Sequence, residues 1–335
     1  MEGVLMRRLL AVLIISLACA TQTHAGTAFY DPIYGMSTTS DIIYGTGAIN
    51  GGAGTANLLL DLYRPTDIGQ GALPAQSPGI VLIHGGKFVD GDKADLAPYA
   101  EAYVSYGYTV ASINYRLLGD NVPANTGPAD DMIMPSPPYA TLSMPLGTYT
   151  VNAAVEDATK AMIWMRSNAG LYGIDADHIA IGGRSAGAIT ALLQAYNAPV
   201  PQAAPQAVLS FIGSMYGTED SIQAGGPPAF VVNGDADTVV PFTGPSSIQG
   251  VIARMNEVGV YNEFYVQEGL GHTTNFDLLE EDGQTLSQHN GEFLRQFLRP
   301  KPSRLTLSFF AFLALLLSFG LLFVVWRKIR GLRRI

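Results

Sequence analysis

Cysteine is nearly missing from this chain: among 335 residues only Cys19 carries a thiol. One cysteine makes no internal disulfide and no thiolate cluster, so a cystine-stapled scaffold and a cysteine-ligated metal centre are both excluded. Charge is scarce as well, at 14% against 48% hydrophobic residues, which excludes an extended disordered protein and leaves room for membrane segments. Basic residues are the rarer sign. Between residues 26 and 304, 12 Lys and Arg face 27 Asp and Glu, a net of −15. A nucleic-acid partner, which needs a basic face to displace counterions, is disfavoured by that balance. Glycine is plentiful at 37 residues but follows no G-X-Y period, so a collagen-like chain is excluded too.

The basic residues that do occur gather at the ends. Residues 1–25 read as a secretory signal: Arg7 and Arg8 precede an apolar stretch from Leu9 to Leu17, and Thr23, His24 and Ala25 offer a small-residue cleavage site, with Ala18-Cys19-Ala20 as a second option. An uncleaved anchor and lipidation at Cys19 are the alternatives. Leu305–Trp326 is 22 residues without a charge. As a helix rising ~1.5 Å per residue it spans ~33 Å, enough for a ~30 Å hydrocarbon core. Arg327, Lys328, Arg330, Arg333 and Arg334 follow it, so residues 327–335 form a basic tail that the positive-inside tendency places in the cytoplasm. The expectation is an exported domain of residues 26–300 held to the membrane by a C-terminal transmembrane helix. A sorting signal removed after export is the alternative for the tail. No Asn-x-Ser/Thr sequon occurs, which fits a bacterial cell envelope.

Between the ends the pattern is α/β. Gly79–Ile83, Thr109–Ile113, His178–Gly182, Ala207–Ile212 and Ala229–Val232 are short, β-branched apolar runs that read as buried strands. Helical patterns alternate with them at Leu96–Tyr106 and Ala153–Asn168. In the second, Ala154, Ala158, Ala161, Met162 and Met165 lie on one face. This alternation predicts a mostly parallel sheet with helices on both faces and ligands at the carboxyl ends of the strands. Leu58–Tyr63 reads as an antiparallel strand at the sheet edge. Residues 118–150, with six prolines and no helical period, form an insertion expected to wall or cover the site.

The chemistry lies in four segments. Gly183-Arg184-Ser185-Ala186-Gly187 falls between a strand and a helical segment, where small neighbours let a strained turn project a serine hydroxyl. His84-Gly85-Gly86 ends an earlier strand, so the N–H groups of Gly85, Gly86 and Ala186 are the candidate oxyanion hole. A serine nucleophile needs a base, and the base an orienting carboxylate, in the order Ser, Asp, His. His272 lies in a Gly-rich loop just past the strand Glu263–Gln267 and is the candidate base; His84, His178 and His289 read as structural or solvated. Asp235 and Asp237 both lie past Ala229–Val232, and spacing alone leaves the choice between them open.

Collinear stretches from about 57 to 298 resemble the α/β-hydrolase superfamily, close to carboxylesterases of the hormone-sensitive-lipase and feruloyl-esterase-like type. They are Leu60–Pro65, Val81–Gly86 with Gly91-Asp92-Lys93, Asn114-Tyr115-Arg116-Leu117, Asp157–Arg166, Gly173-Ile174-Asp175, the Ser185 turn, and the Asp237 and His272 loops. The resemblance implies an α/β-hydrolase fold and selects Asp237, since the family's G-x-x-D-x-x-V-P pattern falls on Gly234, Asp237, Val240 and Pro241. Two departures are Lys87, where many relatives have a third glycine, and Arg184, where Asp or His is common.

The expected reaction is ester hydrolysis by a Ser185-His272-Asp237 triad through an acyl-enzyme, with no metal or cofactor. Small, uncharged acyl or aryl esters are the expected substrates, because the acidic domain would repel anions and because Lys87 and Phe88 would crowd the pocket. A serine peptidase of the same fold and a non-catalytic adhesion or scaffold protein are the rival readings. Nothing in the sequence fixes the oligomeric state.

Overall fold

In the computed structural model the described residues are 28–70, 72–123, 148–197, 200–244 and 246–298. The expected signal (1–25), most of the 118–150 insertion, Leu305–Trp326 and the tail 327–335 lie outside them. Among the described residues no helix is long and apolar enough to cross a membrane.

Eight strands build one sheet: β1 (Tyr34–Ile49), β2 (Gly54–Asp67), β3 (Ser77–Ile83), β4 (Thr109–Ile113), β5 (Ile174–Arg184), β6 (Ala207–Phe211), β7 (Ala229–Gly234) and β8 (Asn262–Gln267). Their order is β1-β2-β4-β3-β5-β6-β7-β8. The pairings β1–β2 and β2–β4 are antiparallel, and the rest are parallel. The helices are α1 (Ala97–Ser105), α2 (Thr148–Ser167), the single turn α3 (Ala169–Tyr172), α4 (Ala186–Tyr196), α5 (Ile248–Val258) and α6 (Leu286–Leu298).

The central strands read as continuous apolar runs because each side feeds a different core. In β3, Val81 and Ile83 pack with α2 and α4, while Ile80 and Leu82 face α1 and α6. In β7, Val231 joins the first core, and Phe230 and Val232 the second. Side chains alternate across a strand, so a sheet covered on both faces needs hydrophobic residues at every position. Every residue of α4 is buried, and its alanines and glycine let it lie close against β3 and β5. Truncating a fully buried side chain such as Phe230 would cost about 3–5 kcal/mol through lost transfer energy and the remaining cavity.

One expectation is corrected. The strand at Leu58–Tyr63 is not at the edge, because β1 pairs along it and takes that place. The period-two signal of β1 is broken by register shifts between Thr39 and Ile42 and between Ile43 and Gly45, which is why its sequence does not announce a strand. At the two ends of the 118–150 segment, Leu118–Asp120 forms a 3₁₀ turn and residues 148–150 belong to α2.

Candidate active site

Ser185 occupies the turn between β5 and α4 with φ 54° and ψ −118°. A non-glycine residue held there stores about 1–3 kcal/mol, so neighbouring contacts must hold it. The Ser185 N–H donates to the Phe211 carbonyl at 2.9 Å, and its own carbonyl accepts from Ile189 N–H at 3.0 Å. The turn is tight enough that a Cβ on Gly187 would collide with the Ile83 carbonyl oxygen, so glycine is required where α4 crosses the end of β3.

His272 arrives from the loop after β8. Its Nε2 lies 2.8 Å from Ser185 Oγ, and its Nδ1 lies 2.8 Å from Asp237 Oδ2. The Asp237 side chain is fully buried, whereas His272 keeps partial exposure. Asp237 Oδ1 accepts the N–H groups of Val239 and Val240 at 2.8 and 3.0 Å. Burial alone would raise this carboxyl, but the bonds from His272, Val240 and Val239 more than offset it, and its pKa falls below the ordinary value. The carboxylate is thus held ionised beside the imidazole, with the other ring nitrogen turned to the serine.

On the opposite side of Ser185 lies the Gly85-Gly86 loop. A Cβ built on Gly85 would sit 3.4 Å from Ser185 Cβ, which places the loop against the serine turn. Gly86, Lys87 and Phe88 follow one another with φ of 100°, 56° and 61°. Bonds from Val89 N–H and Asp90 N–H to the Gly86 carbonyl, and from Leu118 N–H to the Phe88 carbonyl, hold this unusual run. Ala186, the first residue of α4, presents its N–H at the helix N-terminus beside Ser185.

The structure brings together Ser185, His272 and Asp237, with Gly85, Gly86 and Ala186 around the serine. It separates Asp235, whose carboxylate accepts the Gly269 N–H at 2.7 Å and pins the turn before His272. His178 bonds Asp175, His289 bonds Asp282, and His84 bonds the Gly85 carbonyl, each away from the Ser185 hydroxyl. Burial lowers the pKa of His84 despite that bond and the nearby Asp95, Asp92 and Asp90. The expected crowding by Phe88 is corrected: its ring is 1% exposed and packs edge-on against Tyr115, because the positive φ turns it inward. A cavity of about 330 Å³ along the Gly85-Gly86 loop is lined by Gly85, Gly86, Asp95, Leu96, Tyr99 and Arg184, next to Ser185 in sequence but not including it.

Two residues outside the expected set support the histidine loop. Arg184 Nη2 donates to the His272 carbonyl at 3.1 Å. Gln267, at the end of β8, exchanges two bonds with the backbone of Asn275, at 2.6 and 2.8 Å, and so closes the loop that carries His272. Only a buried glutamine ending a strand hinted at the second. Among the described residues no group of three or more His, Cys, Asp or Glu is placed to hold a metal ion.

A family model described as BD-FAE matches residues 60–130 and 139–207. Esterase 2 of Thermogutta terrifontis, phosphorylated by paraoxon, superposes with a TM-score of 0.55 at 22% identity, over 81% of this chain and 97% of that one. Its propionate-bound form gives 0.55 at 21% identity with the same coverage, and the butyrate-bound form 0.55 at 20%. The chain has the α/β-hydrolase fold. Esterase LipQ of Mycobacterium tuberculosis (strain ATCC 25618 / H37Rv) is 31% identical over 168 residues, 50% of this chain and 31% of that protein. The chain spans under a third of the length of that curated relative in the match. The BD-FAE match carries the resemblance to hormone-sensitive-lipase and feruloyl-esterase-like esterases, and the LipQ match is to an esterase.

Proposed function

We propose that this α/β-hydrolase is a serine carboxylesterase. The observation that carries the reading is the unbroken relay from Ser185 Oγ to His272 Nε2 and from His272 Nδ1 to Asp237, 2.8 Å at each step. In the proposed reaction the Ser185 oxygen attacks the ester carbonyl carbon while His272 takes the serine proton. The tetrahedral oxyanion is held by the N–H groups of Gly85, Gly86 and Ala186. His272 then gives the proton to the departing alkoxide, leaving an acyl-serine. Water attacks that intermediate with the same histidine as base, the acid leaves, and Ser185 is restored. Asp237 keeps the imidazole in the tautomer that accepts from serine and stabilises the imidazolium. None of these steps calls on a metal or cofactor.

The proposed substrates are small, uncharged acyl or aryl esters, since residues 26–304 carry a net −15 that would repel anions. The names of the relatives, esterases with propionate- and butyrate-bound forms, support short acyl groups. The domain is further proposed to be exported and held by Leu305–Trp326, with the basic tail inside.

The test is labelling with a fluorescent fluorophosphonate, followed by ester and amide hydrolysis. Ser185→Ala should abolish labelling and lower turnover by on the order of 10⁶, as removal of a triad nucleophile does. Labelling that persists at another serine refutes the assignment, and amide hydrolysis outrunning ester hydrolysis would make the chain a peptidase. With nitrophenyl esters of two to sixteen carbons, activity should peak at the short end.

A further inference from the structure

The peptide units His84–Gly85 and Gly85–Gly86 follow the end of β3, and both are trans. In a trans peptide the carbonyl and the N–H point in opposite directions, so fixing one fixes the other. The Tyr115 hydroxyl lies 3.1 Å from the His84 carbonyl oxygen and 3.2 Å from that of Gly85, and donates to the pair. His84 Nδ1 adds a second donor to the Gly85 carbonyl at 2.7 Å. The N–H groups on the far sides of these two carbonyls belong to Gly85 and Gly86. Among the described residues neither of those N–H groups donates to a backbone carbonyl, so the peptide planes are held from the carbonyl side.

Tyr115 is itself fixed. It lies two residues past β4, whose Ile113 is in register with Ile83 of β3. Its ring stacks on the His84 imidazole at 4.4 Å and 22°, and meets the Phe88 ring at 6.1 Å and 68°. It is 4% exposed, so burial favours its hydroxyl staying on these carbonyls.

We infer that Tyr115 is a positioning residue whose single hydroxyl, through two carbonyls, aims the N–H groups of Gly85 and Gly86 at the site of the developing oxyanion. What those N–H groups stabilise rests on the esterase reading above; the orientation of the two peptides does not. Without the hydroxyl, the His84 carbonyl loses its side-chain donor and Gly85 keeps only His84 Nδ1. The His84–Gly85 plane is then free to rock and the Gly85–Gly86 plane is held by one donor instead of two, which weakens transition-state contacts more than ground-state binding.

The experiment uses the full-length chain in detergent. Tyr115→Phe keeps the ring and removes the hydroxyl. On nitrophenyl acetate its kcat should fall about 10- to 100-fold with KM within about twofold, less than the ~10²–10³ lost with a whole oxyanion donor. A second readout does not depend on turnover. The sequence has four Gly-Gly pairs, and glycine labelled with ¹⁵N and carbonyl ¹³C makes each visible as one cross-peak. The Gly85–Gly86 peak should move upfield in carbon on loss of the hydroxyl bond, further than the other three. If Tyr115→Phe fails to fold, Tyr115→3-fluorotyrosine keeps the hydroxyl, and its more acidic O–H should move the same peak downfield. An unmoved carbonyl resonance overturns the inference whatever the kinetics show. A moved resonance with unchanged kcat also overturns it, because the peptides would then be held without consequence for the reaction. A moved resonance in a chain whose unsubstituted form hydrolyses no ester supports the orientation and refutes the esterase reading instead.

Discussion

Asp235 and Asp237 stand two positions apart on one loop, and their surroundings give them different work. Asp237 is buried with three donors on its two oxygens, His272 among them, whereas Asp235 spends its carboxylate on the Gly269 N–H. Replacing the charge at Asp237 removes both the imidazole's orienting acceptor and the counter-charge to the imidazolium. Asp237→Asn should therefore lower turnover by about 10³–10⁴, and Asp235→Asn by less than about tenfold. Steady-state kinetics on one short ester ranks the two, and the reverse order would move the triad carboxylate to Asp235. The same carboxylate shapes acid stability. Because its folded pKa is depressed, its ionisation contributes stability fully present above the unfolded value of ~3.9 and lost as pH falls through the folded one. Urea unfolding followed from pH 5 downward should show Asp237→Asn losing less stability than the parent across that window.

At the scale of elements, one ion pair ties β1, the segment after β4 and α2 together. Arg116 donates to both oxygens of Asp157, to Glu156 and to the Ala48 carbonyl, while Asp157 also accepts the Arg116 N–H. Arg116 is 2% exposed and Asp157 not at all, so neither charge has water as a fallback. Asp157→Ala should destabilise the domain, by less than the about 3–5 kcal/mol of a fully stranded buried charge because Arg116 keeps Glu156, read as a shift in denaturant midpoint. The elements themselves were unevenly legible. The buried strands β3, β4, β5 and β7 stand out in sequence because two-sided burial leaves no polar position to blur them. The serine turn stands out because its steric demands admit few residues. Edge strand β1 is not legible, since solvent on one side and two register shifts remove its period. Helix α5 lies outside the expectations above although Ile248, Val251 and Met255 share a face, Ser247 caps it and Gly259 stops it. That signal was in the sequence. Gln267 and Tyr115 were opaque as contributors to the site for a different reason: each acts on backbone atoms that only the fold brings near.

At the scale of the whole molecule, the question is where the domain ends and what holds it in place. Helix α6 is part of the fold, because Leu286, Phe293, Leu294 and Leu298 are all buried in the second core, facing α1 and the underside of β7. Removing them would expose a whole face of that core, so a chain ending after Gly283 should fail to fold. A chain ending after Pro302 keeps every one of them and discards the charge-free run Leu305–Trp326 with its basic tail. It should be soluble and as active per molecule as the full chain, since Ser185, Asp237 and His272 all precede α6. In cells making the full chain, the proposed topology puts the domain outside and the five basic residues after Trp326 inside. Protease added to intact spheroplasts should then release an active fragment, while the unprocessed membrane fraction holds nearly all the esterase beforehand. Activity that stays with the cells and resists protease until lysis would place the domain on the inner side. A mature protein already lacking the tail would replace the membrane anchor with a processed sorting signal.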